Sequence, residues 1–241
     1  VRISPDGSKT NGKIIWVATE VFDDTDLPIG NRIDTFLGLA IHEGCHVLYT
    51  DFSAYKGITN GIVKFIENIL EDERIERELG QKKPGLANFL KASKYYYFDR
   101  YSQKMKDEGK TEGLETFPRL MNAIISLVRY PKTVEMSDLE EFADTLLQVR
   151  ELLTPYPAST AQCVETAEKI FEIIKQYLQD EEKQRQKQQA SDGTQDCQPS
   201  DESGEGSGSS GQSQNGGQQP KPKRMTSRQI AKKIDQQMNE I

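Results

Sequence analysis

The segment whose residue types and spacing can do chemistry is Leu39-Ala40-Ile41-His42-Glu43-Gly44-Cys45-His46-Val47-Leu48. On a helix, His42 and His46 share one face with Cβ atoms about 5–6 Å apart. Two neutral imidazoles at that spacing can hold one tetrahedral zinc ion at about 2.0–2.1 Å each. Glu43 reaches the remaining, water-filled position, where a carboxylate would take the proton of a water attacking a carbonyl. Leu39, Ile41 and Leu48 can bury such a helix around a metal, and Gly44, Cys45 and Val47 add no charge. The HExxH pattern alone is weak. It is sharper here because the chain has only two histidines and both stand in it. Cys45 points off the ligand face and reads as a small core residue.

A zinc peptidase needs a third protein ligand, and no histidine remains to supply it. The metzincin extension is absent, since Tyr49 and Phe52 stand three and six positions after His46. The third ligand must then be a carboxylate, and the run Glu67-Asn68-Ile69-Leu70-Glu71-Asp72-Glu73-Arg74-Ile75-Glu76 is dense with them. Glu71 or Glu67 fits two packed helices joined by a turn. If either binds metal, Asp72 or Glu67 can accept a hydrogen bond from the outer nitrogen of a histidine ligand. Arg74 can steady an oxyanion, or pair with Glu67, Glu71 or Glu78. Asp51 follows the zinc helix as a turn residue within reach of the site. Tyr49, Tyr55, Tyr95, Tyr96, Tyr97 and Tyr101 are candidate oxyanion donors. Three consecutive tyrosines cannot share one helix face, so packing at a helix contact competes with that role.

The elements that must position these residues are mostly helices. KIIWVATEVF, residues 13–22, is the one strand expected, rich in β-branched and aromatic residues. It either covers the core or serves as an edge on which an extended substrate pairs. Asp23–Pro28 closes it with turn chemistry. Helices are expected from an Asn31 N-cap to Phe52, and over 59–79 with Gly80 as the stop. Others run from Pro84 to near Gly109, over 114–129, and over 137–153 behind a Ser137–Glu140 capping box. A last one begins after Ser159 and turns polar past Asp180. The fold class is therefore mainly α, an α+β zincin-like helical core with a small N-terminal sheet or edge strand. It occupies residues 1–188, ahead of a Gln/Ser/Gly-rich linker at 189–223 and a short basic amphipathic helix at 224–241, where a further domain would start.

Composition limits the classes. The chain has 241 residues, a formal charge of −7 and 35% hydrophobic residues, below the roughly 45–50% of ordinary domains when Gly is counted with them. The deficit lies in 189–223, and the residues before it suffice for one core. No run approaches the ~20 apolar residues of a membrane span. The polar, turn-rich start carries no secretory signal, and three widely spaced cysteines make no disulfide framework. The expected compartment is the cytoplasm. KPKR with Arg228, Lys232 and Lys233 reads as a solvated face, so a nucleic-acid partner is not expected.

HEGCHVLYTDF, followed by NILEDERIE and then KKPGL, resembles a group of zincin-like metallopeptidases from bacteria and phages. These often carry a C-terminal von Willebrand factor A domain, and some are cobalamin-biosynthesis or cobaltochelatase-subunit-like. The resemblance covers residues 31–90. It implies one zinc ion per chain on His42 and His46, Glu43 as the base, and Glu71 in preference to Glu67 as third ligand. It also implies a protein or peptide substrate and an ATPase or von Willebrand factor A-type partner, with 189–223 as the tether. The function expected is zinc-dependent peptide hydrolysis. The alternative is a non-catalytic zincin-fold scaffold or adaptor for an ATPase or chelatase complex.

Overall fold

A computed structural model of the protein describes residues 1–5, 7–107, 116–130 and 140–192, with 101–107 and 187–192 as backbone alone. The linker beyond residue 192, the basic segment 224–241, the side chain of Tyr101 and residues 137–139 of the expected capping box lie outside this description.

The described chain is mainly helical with a small N-terminal sheet. Strand β1 (Arg2–Ser4) pairs in parallel with β3 (Ile15–Ala18), and β2 (Lys9–Thr10) pairs with β3 antiparallel, in the order β1-β3-β2. The strand expected at 13–22 is thus a central strand of four residues. A 3-10 turn at Glu20–Asp23 cuts it short, and the sheet edges fall to β1 and β2. Neither edge strand is long enough to show a period-2 pattern. In the β2–β3 turn, Gly12 has φ +82, and Asn11 Oδ1 accepts from the backbone N–H groups of Lys13 and Ile14 at 3.1 and 2.9 Å.

Helix α1 (Ile29–Tyr49) starts behind Pro28 rather than at Asn31, which lies inside its first turn. Pro28, with φ −54 and ψ 143, sets the extended entry that precedes a helix. Gly38 fixes how closely α1 meets α3 (Pro84–Asp107). A Cβ there would stand 2.1 Å from the Phe89 carbonyl oxygen and 2.6 Å from Ser93 Oγ.

Helix α2 (Gly61–Lys82) is capped by Asn60, whose Oδ1 accepts from Ile62 and Val63 N–H at 2.8 and 3.2 Å, a cap worth about 1 kcal/mol. Gly80 lies within α2 and does not stop it, because the helix continues to Lys82 before the break at Pro84. Among the described residues α3 is followed by α4 (Thr116–Arg129), α5 (Ala143–Leu152) and α6 (Thr160–Asp192). The core joins Ile66 and Leu70 of α2 to Leu120 and Ile124 of α4, Leu146 of α5, and Ile170 and Ile174 of α6, all buried. Each such side chain contributes about 1.5–3 kcal/mol on burial. A smaller cluster of Cys45, Ile75, Leu79 and Leu90 seats α1 on α2 and α3. Helix α2 therefore touches both clusters and has little freedom to rotate. Among the described residues no helix is long and apolar enough to cross a membrane.

Candidate metal centre

His42 and His46 lie on the face of α1 turned to α2, their rings edge-on with centroids 4.9 Å apart. Opposite them on α2 is Asp72. Its Oδ1 stands 3.2 Å from His46 Nε2 and 3.6 Å from His42 Nε2. Ligand atoms about 2.0–2.1 Å from one tetrahedral ion are about 3.3–3.4 Å apart, so these separations match the edges of a coordination tetrahedron. One donor atom from each of the three residues lies within 4.8 Å of the others.

The outer nitrogens are also engaged. His42 Nδ1 is 2.9 Å from Glu76 Oε1, and His46 Nδ1 is 3.0 Å from Thr50 Oγ1. The Thr50 hydroxyl in turn donates to Glu71 Oε1 at 2.8 Å. Donation of each Nδ1–H outward would leave both Nε2 atoms, which face Asp72, free to bind a metal, the arrangement that orients metal-binding histidines. Two imidazoles, one carboxylate and an outer acceptor on each ring fit a divalent ion of zinc's preferences.

The structure does not bring the expected third ligand, Glu71, to the two histidines. Glu71 is fully buried, but it faces Arg74, Thr50 and Thr160 instead of the two Nε2 atoms. Arg74 Nε and Nη2 donate to its two oxygens at 2.8 and 2.6 Å. Successive helix positions differ by about 100°, and here Asp72 points at the two Nε2 atoms while Glu71 points at Arg74, Thr50 and Thr160. Packing of Ile66 and Leu70 into the core turns the Asn68–Asp72–Glu76 stripe toward α1. Glu67, the other expected candidate, is buried beside Tyr55 and shares a hydrogen bond with it. Asp72 thus stands between the two Nε2 atoms and not behind a histidine, and Glu76 takes the outer position.

Charge follows from this geometry. Burial would raise the Asp72 carboxyl, but His42, the hydrogen bond to His46 and Arg129 outweigh it and hold it below its ordinary value. Burial would lower His42, yet Asp72 and Glu76 raise it. Burial raises Glu43, with both histidines pulling the other way. For Glu67, burial and the neighbouring Glu71 push the carboxyl up to about 8.

A pocket of ≈ 320 Å³ opens on these groups, lined by His42, Glu43, His46, Asn68 and Asp72 on one side and by Ser8, Lys9, Thr10, Phe52 and Tyr55 on the other. Glu43 is 6% exposed. The strand bordering the pocket is the edge strand β2, not β3. Phe52, one of the lining residues, packs on the β2–β3 turn, where a Cβ on Gly12 would meet its ring at 3.1 Å.

The remaining candidates separate cleanly. Tyr55 alone of the described tyrosine side chains lines the pocket. Arg74 is spent on Glu71, Glu78 and the Tyr49 carbonyl oxygen, which it meets at 2.7 Å, so it is not an oxyanion donor. Tyr49 lies under Lys82, whose Nζ is 4.7 Å from the ring centroid. Asp51 is exposed and accepts from Ser53 N–H and Oγ at 2.9 and 2.6 Å. Tyr95 packs on Tyr130, Tyr96 donates to Asp24 at 3.1 Å, and Tyr97 meets the Tyr96 ring edge-on. Cys45 is buried as expected, and burial pushes its thiol up to about 12.

Comparison of the chain with protein-family models, with characterised proteins and with solved structures finds no match.

Proposed function

We propose that the protein is a metal-dependent peptidase, with His42, His46 and Asp72 holding one zinc ion and Glu43 as the general base. The observation that carries this reading is the placement of Asp72 Oδ1 3.2 and 3.6 Å from the two histidine Nε2 atoms, with Glu43 lining the same pocket. A zinc ion held there supplies Lewis acidity toward a scissile carbonyl and acidifies a water. Glu43 accepts the proton of the attacking water and passes it to the leaving amine nitrogen. Tyr55, which lines the pocket, would donate to the developing oxyanion by turning its O–H away from Glu67. The outer edge of β2 offers backbone groups to an extended peptide, and Phe52 with Tyr55 forms an apolar wall for one of its side chains. Cys45 and Cys163, both free and buried, agree with a reducing cytoplasm.

The test is Glu43→Gln measured on a quenched-fluorescence peptide library with zinc supplied. The variant keeps its zinc and loses about 10²–10⁴-fold in hydrolysis. Cleavage by Glu43→Gln at the wild-type rate, or none by the zinc-loaded wild type, contradicts the assignment.

A further inference from the structure

We infer that Arg129, at the end of α4, is a positioning residue of the metal centre, holding the Glu76 carboxylate on the outer nitrogen of His42. The inference rests on the metal-binding reading above. Glu76 Oε1 is the meeting point: His42 Nδ1 and Arg129 Nη2 each lie 2.9 Å from it. Arg129 Nη1 is 3.7 Å from Glu73 Oε2, so the guanidinium spans two acids three positions apart on α2. From α3, Lys94 Nζ is 2.7 Å from the same Glu73 oxygen and 3.6 Å from Glu76 Oε2. Arg77 binds the other Glu73 oxygen at 2.8 Å, and Tyr130 stands beside both cations.

The arrangement separates the charges behind the site. Glu73 and Glu76 are neutralised from α3 and α4, while Asp72 is left to face the metal. Arg129 and Glu76 are each 10% exposed at the side chain, where an ionised carboxylate needs a fixed cation. Burial opposes both charges, yet Arg129 is raised by its acidic neighbours and Glu76 is lowered by Arg129 and His42. Lys94 also approaches both acids, but it meets Glu76 at Oε2, whereas the Arg129 guanidinium places Nη2 on Oε1, the oxygen that faces His42, and Nη1 toward Glu73. Without Arg129 the nearest cation to Glu76 is Lys94, on the Oε2 side. That pull draws the carboxylate off Nδ1 and releases the His42 ring. A cation at a helix C-terminus also favours the helix dipole, but that role would not move metal affinity.

The experiment compares full-length wild type, Arg129→Met and Arg129→Lys. The readouts are zinc affinity by chelator competition at fixed pH and salt, the visible spectrum of the Co²⁺-loaded protein, and far-UV circular dichroism as the check on folding. A residue that orients a histidine ligand is worth about 10–100-fold in metal affinity. Arg129→Met is expected to weaken zinc about 10-fold and shift the Co²⁺ bands, and Arg129→Lys to lose about threefold. A folded Arg129→Met with wild-type zinc affinity and an unchanged Co²⁺ spectrum overturns the inference while leaving the metal centre standing. Should the Met variant fail to fold, Arg129→Lys decides on the same criterion. No zinc uptake by the wild type overturns the metal centre and this inference together.

Discussion

Glu71→Gln separates the ion-paired carboxylate from the one proposed to bind metal. Glu71 is fully buried and accepts twice from Arg74 at 2.8 and 2.6 Å, from Thr50 and Thr160 at 2.8 and 3.0 Å, and from the Cys163 thiol. The amide removes the charge and turns an N–H₂ donor toward one of these donors. Arg74, 6% exposed, then keeps Glu78, the Tyr49 carbonyl oxygen and at most the uncharged amide oxygen. Removing one partner of a buried pair costs about 3–5 kcal/mol. The partly exposed Glu78, 2.9 Å from Arg74, places the expected value at the lower end, ~3 kcal/mol. At roughly 2–4 °C per kcal/mol for a chain of this size, Tm falls by about 6–12 °C. The assay is urea and thermal unfolding of the metal-free protein at pH 7, followed by circular dichroism. Arg74 and the two threonines hold Glu71 below its ordinary pKa. Its contribution is therefore present above the unfolded carboxylate value of ~4.3 and is lost as pH falls through the folded one, so the gap between variant and wild type closes in acid. A Glu71→Gln protein as stable as wild type that has lost its zinc would refute the reasoning and restore Glu71 as a ligand.

Glu67 carries the opposite sign. Its folded pKa, about 8, lies above the unfolded value, so its contribution is full below ~4.3 and is lost as pH rises toward 8. Glu67→Gln should therefore be more stable than wild type by a margin that widens from pH 5 to pH 8 in metal-free thermal melts, and a pH-independent difference would contradict this. Gly38→Ala forces α1 away from the Phe89 carbonyl oxygen, 2.1 Å from the new Cβ, and should cost about 1–3 kcal/mol or more in urea unfolding. An unchanged midpoint would mean that α1 and α3 are not in backbone contact.

Much of the site is legible in the chain, and the gaps have physical causes. Two histidines four apart must share a helix face, so HEGCH alone brings His42, Glu43 and His46 to one place. The carboxylate that faces the histidines is harder to read because Glu71 and Asp72 are adjacent, and only the rotation of α2 chooses between them. That rotation follows from the apolar stripe Val63–Ile66–Leu70, and Arg74 three positions after Glu71 marks Glu71 as ion-paired. Both signals are in the sequence, whereas resemblance to a peptidase group favoured Glu71. Glu76, Thr50, Lys94 and Arg129 could not be found this way, since they come from four separate segments that only the tertiary fold brings together. Helix existence was readable from periodicity, but helix ends were not. Pro28 replaces Asn31 at one start, and Gly80 is absorbed because the backbone break comes at Pro84. Strands β1 and β2 are too short to announce themselves, and recognising β3 alone gave the wrong edge to the pocket.

The account stands most directly on metal content, measured by elemental mass spectrometry on the wild type, Asp72→Asn and Glu71→Gln after zinc is supplied and the excess removed. One zinc per chain in the wild type and in Glu71→Gln, with Asp72→Asn empty, is the expected result. A zinc-free wild type, or an Asp72→Asn protein that keeps its zinc, would contradict it.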